Sequence, residues 1–176
     1  MKESNVEMLV ATLKRPMLLS VVATPGYDLV VETPGFDFRT VFEGTKSGSI
    51  PKGSVIWKVK KQTDVPLRFG VGIIHPEERA ANGRGVLESV NGIFTFKVVN
   101  PEVLVRLCNT ISIEEFRQTF LLPRISSAVR GLLCGHSGDI KKVIYTIQIS
   151  RDDETSPIDR EFANLGLTLN DFIIEG

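Results

Sequence analysis

The stretch Gly92-Ile93-Phe94-Thr95-Phe96-Lys97-Val98-Val99-Asn100-Pro101-Glu102 decides the architecture, because the periodicity of the chain changes inside it. On its upstream side Val86, Val90, Phe94, Phe96 and Val98 occupy even positions of Val86–Val99. A period of two predicts a long strand with one apolar face. Gly92 inside that row predicts a bulge or bend. Downstream, Asn100 is an N-cap residue, Pro101 fills the first helical position and Glu102 places an acid in the first turn. This signature predicts a short helix running to about Cys108.

Working back from the junction, strands dominate. Thr24-Pro25-Gly26-Tyr27-Asp28 recurs nine residues later as Thr33-Pro34-Gly35-Phe36-Asp37. Pro-Gly at the centre of a turn supplies φ near −65° and then φ above zero, so each copy predicts a chain reversal of that kind. Around them Met17–Ala23, Asp28–Glu32 and Asp37–Phe42 are short and rich in β-branched or aromatic residues, the pattern of an antiparallel meander. In Ser54–Lys61, Val55, Trp57 and Val59 alternate with other residues, which predicts that these three face inward and that Lys58 and Lys60 lie in water. Leu67, Phe69, Val71 and Ile73 alternate with Arg68, Gly70 and Gly72, the clearest strand signal in the chain.

Working forward, helices follow. Ser112-Ile113-Glu114-Glu115 is a capping box, and Ile113, Phe116, Phe120, Ile125, Ala128 and Leu132 recur down one side of the helix it opens. Arg117, Arg124 and Arg130 fall on the wet side. Pro123 removes an N–H donor inside this helix, which predicts a kink or break near Phe120. Gly135 to Gly138 ends it, Ile140–Ile149 reads as a further helix, and Ser156-Pro157-Ile158-Asp159 opens another that stops at Gly166. Leu167–Ile174 is apolar on both faces and reads as a closing strand covered from two sides. The expected fold is α+β: a curved antiparallel sheet, helices after the strands, and a final C-terminal strand. Residues 1–16 read as an N-terminal lead-in and 17–176 as one domain.

A chain of 176 residues that is 42% hydrophobic buries a substantial core. Its 21 Lys+Arg balance 21 Asp+Glu, which argues against nucleic acid as a partner. The balance hides a polarity: the net charge is −1 over residues 1–50, +4 over 51–100, +2 over 101–150 and −5 over 151–176. Such blocks read mainly as solvated surface, while a basic middle and an acidic end would also let copies associate head to tail. The longest apolar run near the start, Met17 to Ala23, is too short to cross a bilayer of about 30 Å. Met1-Lys2-Glu3-Ser4-Asn5 lacks the layout of a secretory signal, and two cysteines form no disulfide framework, so a reducing, cytoplasmic setting is expected.

The candidates for chemistry are few. Cys134-Gly135-His136 brings a thiol and an imidazole close, but at a helix C-terminus, where the dipole disfavours a thiolate. Cys108, Cys134, His136 and His75 are the soft ligands, and no two have finger-type spacing, so no metal or other cofactor is expected. Gly83-Arg84-Gly85 lacks the Lys-Ser/Thr end of a phosphate loop. Glu77-Glu78 and Asp152-Asp153-Glu154 read as solvated loop acids rather than an acid/base pair. Lys58, Lys60 and Lys61 lie near Trp57, but alternation puts the ring on the face away from Lys58 and Lys60. Those two lysines remain candidates for anionic headgroups or an acidic partner. A rival reading is a small-molecule-binding or hydrolytic domain with a cleft near His75, Glu77 and Arg79, the loop richest in ionisable groups.

Three segments together carry a resemblance. Lys61-Gln62-Thr63-Asp64-Val65-Pro66-Leu67-Arg68-Phe69-Gly70, the stretch Gly92 to Pro101, and Gly166-Leu167-Thr168-Leu169-Asn170-Asp171-Phe172-Ile173-Ile174 occur in order. The chain resembles the SPFH or band-7 domain of prohibitin, stomatin and flotillin, and is most similar to the soluble bacterial virion-core-like branch. The resemblance spans about residues 25–176. It implies a non-enzymatic scaffold or protein-interaction module, self-assembling into a homo-oligomer or holding a protein partner, and touching a membrane peripherally. It carries no catalytic residue set. Residues 1–176 are read as departing from that pattern, since neither a membrane-inserting segment ahead of the domain nor a coiled coil after Leu167–Ile174 is expected within them.

Overall fold

The computed structural model describes residues 6–13, 20–74, 87–135, 139–152 and 156–175. Its strands are β1 (Met8–Thr12), β2 (Tyr27–Glu32), β3 (Phe38–Val41), β4 (Val55–Lys60), β5 (Leu67–Ile74), β6 (Leu87–Val98), β7 (Ile111–Ser112) and β8 (Leu167–Glu175). The helices are α1 (Pro101–Leu107), α2 (Ile113–Phe116), α3 (Leu122–Gly135), α4 (Ile140–Asp152) and α5 (Pro157–Asn164), with a π-helical turn, Arg117–Leu121, between α2 and α3. The protein is therefore α+β, and its strands divide between two sheets in the orders β3-β2-β4-β1-β7 and β5-β6-β8. Close contacts gather these elements into two compact units. The first draws on residues within 1–63, 97–117 and 165–168, and the second on 64–96, 118–164 and 169–176.

In the first unit β4 is central, antiparallel to both β2 and β1. Met8–Thr12, inside the stretch read as a lead-in, is the strand β1 on the far side of β4. One face of this sheet packs Ala23, Leu29, Val31, Val41 and Ile56 together, with Leu13, Val21 and Ile50 against them. The other face holds Val30 beside Trp57, and α1 lies over β2 and β3 with Leu104 and Val105 buried. Because both faces are covered, the simple alternation expected of residues 54–61 fails. Ile56 is buried along with Trp57 and Val59, whereas Val55 is 39% exposed. Lys60 is not in water either: it is 8% exposed and ion-paired with Glu7. A buried ammonium requires such a partner. Lys58 is half-buried, its Nζ 3.8 Å from the centroid of the Tyr27 ring.

The repeated Thr-Pro-Gly sequences fold differently. Thr24 O accepts from Tyr27 N at 3.1 Å and Gly26 takes φ 81°, a type II turn as expected. At the second copy Thr33 O accepts from Phe36 N, and Thr33 N donates to Asp37 O, both at 2.9 Å. The left-handed residue there is Phe36, at φ 63°, not Gly35. This is a three-residue hairpin loop between β2 and β3, whose left-handed position normally takes glycine. Among the described residues the first copy meets no strand on its upstream side. Of Met17–Ala23, residues 17–19 lie outside the described residues, and 20–23 make an isolated bridge, Val22 with Lys46.

The Asn-Pro junction forms as expected. Asn100 Oδ1 accepts from Val103 N at 3.4 Å, and α1 ends with Cys108 as its C-cap. Val99 N and Asn100 N both donate to Gly166 O at 2.9 Å, joining the end of β6 to the turn between α5 and β8. Gly166 has φ 75°, and a Cβ there would lie 2.5 Å from Asn100 O, so a side chain is excluded on both counts.

In the second unit β5 and β6 pair without a register shift from Leu67↔Phe94 to Ile74↔Leu87. Gly92 consequently marks no bulge. Phe69 lies directly over it, and a Cβ on Gly92 would come within 2.6 Å of that ring. Phe69 stacks on Phe172 at 4.8 Å between centroids, and Phe94 meets Phe162 edge-on at 5.7 Å. Thr95 contacts Asp171 while Gly92 abuts the carbonyl of Ile173, so β8 runs antiparallel to β6. Contrary to expectation β8 is covered on one side only. Leu167, Leu169 and Phe172 are buried, while Asn170, Asp171 and Ile173 face solvent. The alternation slips by one between Leu169 and Phe172. There Thr95 Oγ1 accepts from Asp171 N at 3.2 Å and donates to its Oδ2 at 2.9 Å.

The helical run after Ser112 begins as a capped helix, Ser112 Oγ accepting from Glu115 N at 3.1 Å. Its buried side chains are Ile113, Phe116, Leu121, Ile125, Val129 and Leu133. The row expected through Phe120, Ala128 and Leu132 is displaced by one residue. Proline at 123 obstructs normal α-helical bonding to the preceding turn, and the π turn absorbs it with one extra residue, so the inward step from Phe116 to Leu121 is five. Arg124 Nη1 donates to the Phe120 carbonyl at 3.0 Å. The helix expected over 140–149 is α4, and α5 starts with Ser156 Oγ accepting from Asp159 N at 3.5 Å. Leu121→Ala is expected to destabilise the protein by about 3 kcal/mol in urea titrations, against roughly 1 kcal/mol for the half-buried Phe120→Ala. The opposite ranking would mean that the step of five lies elsewhere.

Candidate functional site

Polar chemistry in the first unit concentrates where the first Thr-Pro-Gly turn meets the loop after β3. Glu43 Oε1 accepts from Gly26 N at 2.8 Å, Glu43 Oε2 accepts from Lys61 Nζ at 2.8 Å, and Asp28 Oδ1 accepts from Glu43 N at 2.8 Å. Lys61 N also donates to Gly26 O at 3.0 Å. The hydrogen bond from Lys61, followed by that from the Gly26 backbone, holds the Glu43 carboxyl below its ordinary range. The same pairing raises Lys61. A carboxylate stabilised in this way is a poor proton donor at neutral pH, so the cluster is a latch on the turn rather than an acid/base pair.

A second cluster lies on the α1-covered face. The Arg106 guanidinium stands 4.3 Å from the Phe38 centroid, and Phe38 stacks on Trp57 at 6.4 Å and 17°. The buried Trp57 Nε1 has no hydrogen-bond partner among the described residues. Register confirms that Trp57, opposite Val30, lies on the other face from Lys58, opposite Leu29. Thr40 Oγ1 donates to Glu102 Oε1 at 3.0 Å, which ties α1 to β3.

The thiol of Cys108 donates to Leu104 O at 3.1 Å, and burial, with a smaller effect of the Glu115 charge, pushes it up to about 11. Its thiolate is scarce near neutral pH. Gly135 ends α3 beyond Cys134, and His136 lies outside the described residues. So do His75, Glu77 and Arg79 of the rival cleft, with Glu78, Gly83-Arg84-Gly85, Asp153 and Glu154. Among the described residues no three His, Cys, Asp or Glu side chains are grouped to hold a metal ion. No described helix is long and apolar enough to cross a membrane.

The second unit offers a surface of another kind. Its sheet ends in β5 on one side and β8 on the other, and half of the backbone groups of an edge strand point away from the sheet. The residues of β5 on the face away from Phe69 and Val71 are Arg68, Gly70 and Gly72, all exposed. On β8 the outward Ile173 is 53% exposed. The edge of β8 is partly governed by α4: Arg151 Nη2 donates to Leu169 O at 3.5 Å, and its Nε meets Asp159 Oδ2 at 3.3 Å. Sequence reasoning did not single out Gly70, Gly72 or Ile173. The two glycines read as the polar side of an alternation, and Ile173 as buried, since nothing local shows that β8 is the last strand of its sheet among the described residues.

No protein-family model matches the chain, and no curated protein matches it.

Two outcomes follow from the ionisable groups. Glu43, held low, contributes stability at neutral pH that is lost as pH falls through its folded value, below 4.5. Thermal melts of wild type and Glu43→Gln are therefore expected to differ at neutral pH and to converge in acid. With Cys134→Ser as background, alkylation of Cys108 by iodoacetamide near neutral pH is expected to run on the order of a hundredfold slower than that of free cysteine.

Proposed function

We propose that this chain is a non-enzymatic scaffold of the SPFH/band-7 type, a protein-interaction module that self-assembles and lies peripheral to a membrane. What carries the reading is a three-stranded sheet that ends in two strands of eight and nine residues, β5 and β8. Long edge strands are templates for pairing with another chain. The order of elements agrees with the resemblance: strands, then an Asn-Pro-initiated helix, then further helices, then a closing strand after glycine. The described polar clusters also suit the reading, since Glu43, Lys61, Lys60, Glu102 and Arg151 are all engaged with neighbouring chain segments.

Light scattering over a wide range of protein concentration tests the proposal. The mean mass is expected to rise with concentration above the 19.5 kDa of one chain. A constant single-chain mass at low and high salt alike overturns self-assembly.

A further inference from the structure

We infer that copies of this chain join head to tail by edge-strand pairing, the outer edge of β8 in one copy lying beside the outer edge of β5 in the next. This rests on the scaffold reading above and specifies the surface through which it acts. The direction of pairing follows from the sheet. β5 and β8 are each antiparallel to the strand between them, so they run the same way. A repeat that continues the sheet in one orientation therefore sets β8 parallel to the following β5, with the faces that expose Arg68 and Ile173 on the same side.

Side chains select the register. Ile173 is the large apolar residue exposed on the solvent-facing side of β8, and Gly70 and Gly72 leave the solvent-facing side of β5 bare. Placing Ile173 beside Gly70 lets the isoleucine cover bare backbone. The same parallel register sets Arg68 beside Asp171, both exposed. These two positions carry opposite charge, whereas β8 against β8 would bring Asp171 towards another acidic strand. A two-fold contact is disfavoured for that reason, and a heterologous one, which grows into a ring or a filament, is favoured.

The test uses full-length Gly70→Lys and Ile173→Lys, each blocking one edge. Both positions are exposed, and a side chain at Gly70 needs only the Asn91 amide, 2.8 Å from its Cβ, to swing aside. Circular dichroism melts check that both fold. In light scattering the wild type is expected to grow beyond a pair as concentration rises, and each variant alone to remain a single chain. An equimolar mixture, having one intact β8 edge and one intact β5 edge, is expected to stop at a one-to-one pair. Variants that assemble like wild type overturn the edge inference and leave the scaffold reading standing. Gly70→Lys pairing with itself, or folded variants that fail to pair when mixed, also overturns it. A wild type that never exceeds one chain overturns both.

Discussion

Two backbone hydrogen bonds organise much of the first unit: Val99 N and Asn100 N both donate to the carbonyl of Gly166. They anchor the end of β6 at the residue where α1 starts, so the helix is aimed by the strand that precedes it. α1 in turn covers β2 and β3 with Leu104 and Val105, and Glu102 reaches Thr40. The contact tolerates only glycine at 166, for reasons of φ and of space. Two motifs far apart in sequence, an N-cap before proline and a glycine stop after a helix, are thereby one structural feature. Neither motif alone indicates that they meet.

The run from Ser112 to Gly135 shows how a local fault is absorbed rather than propagated. A proline inside a helix would ordinarily break it. Here the π turn adds a residue, and the buried row resumes as Leu121, Ile125, Val129 and Leu133 at steps of four. Reading apolar residues at three- to five-residue steps finds the helix and the place of its irregularity. It assigns the step of five to the wrong turn, because Phe120 and Leu121 are both apolar and the period alone cannot choose between them.

Burial was the less legible property. Alternation in residues 54–61 implies a sheet with one wet face, but β4 is central and covered on both, so Lys60 is buried against Glu7 and Ile56 joins the core. The error for β8 has the opposite sign. Its apolar composition implies cover on two sides, yet it terminates a sheet and leaves Ile173 in solvent. Both follow from strand order, which depends on contacts distant in sequence. The end strands of the second sheet belong to the same class of property, being defined by strand order among the described residues.

What the sequence determined by itself were the features with local causes. These are the α+β order, the caps at Asn100, Ser112 and Ser156, the helix α4, the type II turn at Gly26 and the inward row of Phe94, Phe96 and Val98. Each needs only a side chain's effect on its own backbone or the period of one element. Tertiary structure alone decided the split into two sheets, the strand role of Met8–Thr12, the conformation of the second Thr-Pro-Gly loop and the outer positions of β5 and β8. The same five-letter pattern can close a hairpin or merely reverse the chain, because the strands it joins, and not the turn, select which backbone torsions satisfy their hydrogen bonds.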